Sequence, residues 1–157
     1  MLSILDSLEH LKGITLSYGS AKPRKFKIKN PNKYAGNVSN IVFRSSWEKI
    51  FMNYLDTSNL VKKWNSEELA IEYTSPKDNK THRYFPDFLV EMADGRRMIV
   101  EIKPQIFCQK PKNNNNRIVT LNYAINMAKF LAAQKLAKDN NCEFVVLNEH
   151  DLGIKKL

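Results

Sequence analysis

The chain has 157 residues, enough for one domain with a core of ordinary size, and its 43% hydrophobic and 26% charged residues mark a globular rather than a disordered composition. Lys and Arg number 25 against 16 Asp and Glu, a net +9 that points to a polyanionic partner, nucleic acid or an anionic membrane surface. No apolar run approaches the roughly 18 residues that span a bilayer. Residues 1–6 lack a basic n-region, and Asp6 and Glu9 make the N-terminus a poor signal peptide. Cys108 and Cys142 stand 34 positions apart with no CxxC pair and only three histidines in the chain. A zinc knuckle or disulfide scaffold is therefore not expected, and both cysteines read as idle thiols in a reducing compartment.

Leu2, Leu5, Leu8 and Leu11 recur at helical spacing, with Gly13 as a stop. Residues 17–40 hold Gly19, Pro23, Pro31, Gly36 and several asparagines, and read as an irregular arm with short extended pieces. From Lys12 to Trp47 there are eight basic residues and no acidic one. Within that window Lys25-Phe26-Lys27-Ile28-Lys29 alternates, placing its lysines on one face of an extended segment where they can meet phosphates. A helix follows from Ser45, the N-cap of a capping box with Glu48, and Trp47, Ile50, Phe51, Tyr54 and Leu55 form its apolar stripe.

Residues 69–74 read as a strand closed by the turn Ser75-Pro76-Lys77-Asp78-Asn79. Residues 83–92 and 96–103 read as two strands joined through Ala93-Asp94-Gly95. Asparagines 113–116 make a polar loop. From Leu121 onward Ala124, Ile125, Ala128, Leu131, Ala132 and Leu136 give a long amphipathic helix, and residues 143–147 a short apolar strand. The stretch from Ile102 to Lys138 again lacks acids and holds seven basic residues. The two acid-free windows together carry +15 and the remainder −6, so charge is polarised along the chain.

The chemistry is concentrated on the hairpin. A three-residue loop with Gly95 in the left-handed region pairs Met92 with Arg96 and brings Asp87 opposite Glu101, with Lys103 on the same face. A two-residue loop would shift the register by one and send Asp87 to the other face, so register decides whether a site exists. Two carboxylates facing each other repel unless a counter-charge joins them. A hard divalent cation takes both as ligands, lowers the pKa of bound water and clamps a phosphodiester oxygen. Lys103 is placed to orient the attacking water or offset charge on phosphorus.

Pro86-Asp87, thirteen residues, then Glu101-Ile102-Lys103 resembles the PD-(D/E)xK pattern of the restriction-endonuclease-like superfamily. The stretches at 40–48, 82–88 and 101–104, with Asn126-Met127-Ala128-Lys129 and Leu152-Gly153-Ile154-Lys155, resemble the head-completion nucleases of large contractile-tailed phages. These are similar in turn to the endonuclease subunit of certain cut-and-paste transposition systems. The resemblance implies an α/β restriction-endonuclease-like core, a mixed four-stranded sheet flanked by helices. It divides the chain into a helix and basic arm over 1–40 and a nuclease domain over 41–157. It also implies a DNA endonuclease using Mg²⁺, with Mn²⁺ as substitute, that leaves 5′-phosphate ends. Such an enzyme acts after DNA packaging, in the host cytoplasm during assembly and in the virion, with head or portal proteins as partners and no membrane. Asp87 and Glu101 would be metal ligands with the Ile102 carbonyl, Lys103 catalytic, and Glu48 the acid that completes the site. Lys25, Lys27, Arg44, Arg83 and Gln105 are the expected DNA contacts. The second reading is a non-cleaving virion structural protein that binds DNA ends or the head portal.

Overall fold

The computed structural model describes residues 14–15, 22–113 and 115–155. The helix expected over residues 2–11 lies outside them. In chain order the elements are β1 Ile14–Thr15, β2 Arg24–Lys25, β3 Val42–Phe43, α1 Ser46–Thr57, β4 Val61–Ser66, β5 Ile71–Thr74, β6 Thr81–Tyr84, β7 Phe88–Met92, β8 Arg97–Ile102, α2 Gln105–Cys108, α3 Arg117–Asp139, β9 Glu143–Leu147 and β10 Ile154–Lys155. The central sheet has four strands in the order β4-β7-β8-β9. Its first three strands are antiparallel neighbours, and β9 joins β8 in parallel, the crossover being made by α3. This is the mixed four-stranded α/β architecture expected from the sequence.

Alternation along β7 and β8 sorts two cores onto the two faces of the sheet. On one face Phe88, Val90, Met98 and Val100 bury against Trp47, Phe51, Tyr54 and Leu55 of α1. On the other, Ile99 and Leu89 meet Ala133 and Ala137 of α3, together with Ile71 and Tyr84 from the β5–β6 hairpin. Alanines on that helix face let α3 lie close to the sheet, which matters because the acidic residues share its face. α1 starts where the sequence expects: Ser45 Oγ accepts from Glu48 N at 3.1 Å. The basic arm is fixed at its middle by Asp56, almost fully buried, whose carboxylate accepts from the N–H groups of Lys29 (2.8 Å) and Asn30 (3.0 Å). Phe26 is buried while Lys25, Lys27 and Lys29 are exposed, as the alternation expects.

Four sequence expectations need correction. The single strand over 83–92 is two strands in different sheets: β6 pairs with β5, and β7 enters the central sheet after a break at Phe85-Pro86-Asp87. Proline lacks the N–H that a continuous ladder would need. β4 was not anticipated, because a bulge between Val61 and Lys63 sets two lysines side by side and erases the period of two. The short helix α2 was not anticipated either. α3 begins four residues before Leu121, where the Asn116 side chain accepts from Ile118 N and Val119 N. Its buried residues are Phe130, Ala133 and Ala137, whereas Leu131 is 65% exposed.

Candidate active site at the end of the central hairpin

The turn between β7 and β8 sets the register. Met92 N donates to Arg96 O at 2.8 Å and Gly95 has φ of 90°, so the loop has three residues. Pairing then runs from Glu91–Arg97 to Phe88–Val100, and the next step brings Asp87 opposite Glu101. That step is a non-hydrogen-bonded pair, where facing side chains stand closest. One step further, Pro86 faces Ile102 at a hydrogen-bonded position but has no N–H to give the Ile102 carbonyl. The Ile102 N–H turns instead to Asp87 Oδ2 at 2.7 Å. Pro86 therefore ends the ladder at the point where the carboxylate takes over as acceptor.

Glu101 lies on the α3 face of β8 and is 7% exposed. The Tyr84 hydroxyl donates to its Oε2 at 2.7 Å, and Lys103 Nζ stands 3.6 Å from its Oε1. A second ammonium, Lys129 Nζ from α3, lies 5.6 Å from the centroid of the Tyr84 ring and 5.8 Å from that of Tyr73. Two carboxylates thus meet two lysines across one tyrosine.

Burial holds the Asp87 carboxyl well above the usual carboxylate range; the adjacent Glu101 and Glu48 charges add to this, while the Ile102 N–H and Lys103 oppose it. Glu101 is raised by burial too, against the pull of Lys103, Tyr84 and Lys129. Burial pushes the Tyr84 phenol upward, with Glu101 adding to the effect, so the hydroxyl remains a donor at neutral pH. Lys129 is lowered by burial first and by Lys103 second.

Glu48 reaches this group through its charge on Asp87. Its own oxygens are engaged locally, Oε1 by Ser45 Oγ at 2.8 Å and Oε2 by Arg44 N at 2.9 Å. Among the described residues no three His, Cys, Asp or Glu side chains form a ligand cluster, so the donors are two carboxylates. An all-oxygen, anionic pair that burial makes reluctant to ionise fits a hard divalent cation, which would neutralise both groups at once.

The remaining expected site residues are spread more widely. The Arg44 guanidinium pairs with Glu67, whose N–H donates to the Asp87 carbonyl at 3.2 Å. Arg83 is exposed on β6, opposite Glu72, and alternation turns it to the face away from Tyr84. Gln105 was expected to share the face of Lys103, but β8 ends at Ile102 and the chain turns at Pro104 into α2. Its N–H donates to the buried Glu149 Oε2 at 2.9 Å, and its Oε1 lies 3.2 Å from His150 Nε2. Lys25 and Lys27 are exposed on the arm. His82 Nε2 pairs with the Asp78 carboxylate at 2.9 Å.

Sequence reasoning missed Tyr84, Lys129 and Glu149. Tyr84 was hidden by running one strand through Pro86; a break there would have put it on a separate hairpin over the acidic face. Lys129 does carry a signal, since Lys129, Ala133 and Ala137 repeat at four-residue spacing and place a lysine at the end of the buried stripe of α3.

The family profile of the TnsA-like endonuclease N-terminal domain matches residues 58–149, from the turn before β4 to the turn after β9. That range contains Tyr84, Asp87, Glu101, Lys103 and Lys129. The chain is also 34% identical over 139 residues to the head completion nuclease of Enterobacteria phage T4, covering 82% of this chain and 91% of that protein. No solved structure matches it. The chain belongs to the TnsA-like endonuclease N-terminal family, a restriction-endonuclease-like family.

Proposed function

We propose that this chain is a Mg²⁺-dependent DNA endonuclease that acts in phage head completion after DNA packaging. What carries the reading is the pair Asp87–Glu101 with Lys103 Nζ 3.6 Å from Glu101. Asp87 and Glu101 would hold the cation, together with the Ile102 carbonyl, which Pro86 cannot engage. Once bound, Mg²⁺, or Mn²⁺ in its place, supplies Lewis-acid stabilisation of the phosphodiester and a more acidic water. Lys103 orients the attacking water and offsets charge gathering on the phosphoryl oxygens. Tyr84 fixes the Glu101 rotamer and leaves its other oxygen free to bind. Water oxygen bonds to phosphorus as the P–O3′ bond breaks, leaving a 5′-phosphate and a 3′-hydroxyl.

Supercoiled plasmid incubated with the protein in Mg²⁺ or Mn²⁺, against the same reaction in EDTA, tests the reading. Nicked circles that need the cation are expected. Bound but intact DNA in both metals would overturn it in favour of a non-cleaving virion protein. Head and portal proteins as partners, and action in the host cytoplasm or the virion, belong to the same proposal and rest on the likeness to the T4 protein.

A further inference from the structure

Four residues beyond Lys103, the surface changes character. Ile106 is 70% exposed, and Phe107 beside it is about half exposed. α2 holds them in place: the Gln105 N–H is taken by the buried Glu149, and Phe107 N donates to the Pro104 carbonyl at 2.9 Å. Across from α2, Val119, Asn122, Tyr123 and Asn126 stand at i, i+3, i+4 and i+7 of α3, one helical face. Between them lies an open cleft of about 330 Å³.

Its lining combines two aromatic rings, Phe107 and Tyr123, with three carboxamides, Gln109, Asn122 and Asn126, and no ionisable carboxylate. Apolar residues left in water around amides, without a packing partner, mark a surface that binds something flat with polar edges. Rings stack on the faces of nucleobases, and amides read their hydrogen-bonding edges. The charge around the cleft agrees, since Lys110, Lys112 and Arg117 surround it and no acid occurs from Lys103 to Ala137. A protein partner of ordinary composition would gain little from that one-sided field; a phosphate backbone would gain from every lysine.

We propose that the α2–α3 cleft receives an unpaired nucleobase of the DNA engaged at the acidic site, making DNA with a branch, gap or frayed end the preferred substrate. A base inside an intact duplex keeps both faces stacked and cannot enter. This inference rests on the nuclease reading for its choice of DNA but not for its test.

Equilibrium binding in EDTA, where no cutting occurs, separates the two. A labelled duplex is compared with the same duplex carrying a short single-stranded gap, for wild type, Phe107→Ala and Phe107→Trp. The gapped DNA is expected to bind about tenfold tighter to wild type, the effect of one base stacked on an aromatic ring. Phe107→Ala should lose most of that preference and Phe107→Trp should keep it. The tryptophan variant shows that any loss in the alanine variant reflects the ring and not the fold. Equal binding of the two DNAs by wild type, or an undiminished preference in Phe107→Ala, would overturn the proposal, and the former is what a protein-binding cleft would give. Nicking in Mg²⁺ reports on the nuclease reading separately, so either can fail alone.

Discussion

The main-chain N–H of Ile102 donates to Asp87 Oδ2 at 2.7 Å, across the gap that Pro86 leaves in the β7–β8 ladder. This bond holds the Asp87 carboxylate beside Glu101, where each acid disfavours ionisation of the other. The arrangement costs stability and gains a cation site, the usual exchange at functional positions. Each consequence below follows from that exchange.

Asp87→Asn should stabilise the metal-free chain. The amide oxygen still accepts from Ile102 N, while the repulsion with Glu101 is gone. In the folded state both carboxyls bind protons more tightly than in the unfolded chain. Their contribution to stability is therefore greatest at acid pH and falls as pH rises from the ordinary carboxylate range into the raised one. Thermal melts in EDTA at pH 8 should show Asp87→Asn about 2–4 °C above wild type, roughly 1 kcal/mol in a chain this size, and the difference should shrink at pH 5. An unchanged or lower midpoint at pH 8 would contradict the repulsion.

Cation binding should release protons. Carboxyls that hold their protons above the usual range must give them up to become ligands, so apparent Mg²⁺ affinity rises with pH. Calorimetric titration in two buffers of different ionisation enthalpy measures this directly. Identical heats in both buffers would mean the ligands were already ionised.

Tyr84→Phe removes the donor to Glu101 Oε2 and with it one of the groups that hold the Glu101 proton affinity down. The acid limb of the pH–rate profile should move to higher pH, and nicking near neutrality should fall about tenfold, in the range of a lost positioning hydrogen bond. Lys129→Met should move the limb in the same direction, because Lys129 also favours the Glu101 anion. A rate loss in both variants with the limb unmoved would assign these residues to folding alone.

Lys25→Ala and Lys27→Ala alter exposed side chains on a docked arm and should leave stability within about 0.5 kcal/mol of wild type. If the arm lies along a phosphate backbone, each should lower the slope of log affinity against log salt by about one. Fluorescence anisotropy between low and physiological salt reads the slope; parallel lines for wild type and both variants would remove the arm from the interface.

The site pair was legible because a short hairpin transmits register rigidly: Gly95 fixes a three-residue turn, and counting from it reaches Asp87 and Glu101 without reference to the rest of the chain. α1 was legible for a similar local reason, a cap and a stripe. Tyr84 was not, because its contact with Glu101 depends on the β5–β6 hairpin folding over the acidic face, a tertiary placement. Gln105 failed through extrapolation, since the period of two ends with the strand at Ile102. β4 was masked by its bulge, and the arm showed its lysine face but not Asp56, which holds it from 26 and 27 residues away.

Single-turnover cleavage by Glu101→Gln, with protein saturating over DNA in Mg²⁺, tests the proposed chemistry most directly. Glutamine keeps the size of the side chain and an oxygen for the Tyr84 hydroxyl, but not the charge that would hold the cation. The rate constant should fall at least about 10³-fold while DNA affinity stays within about threefold of wild type. A variant that still cuts within a few-fold of the wild-type rate would place the active site elsewhere.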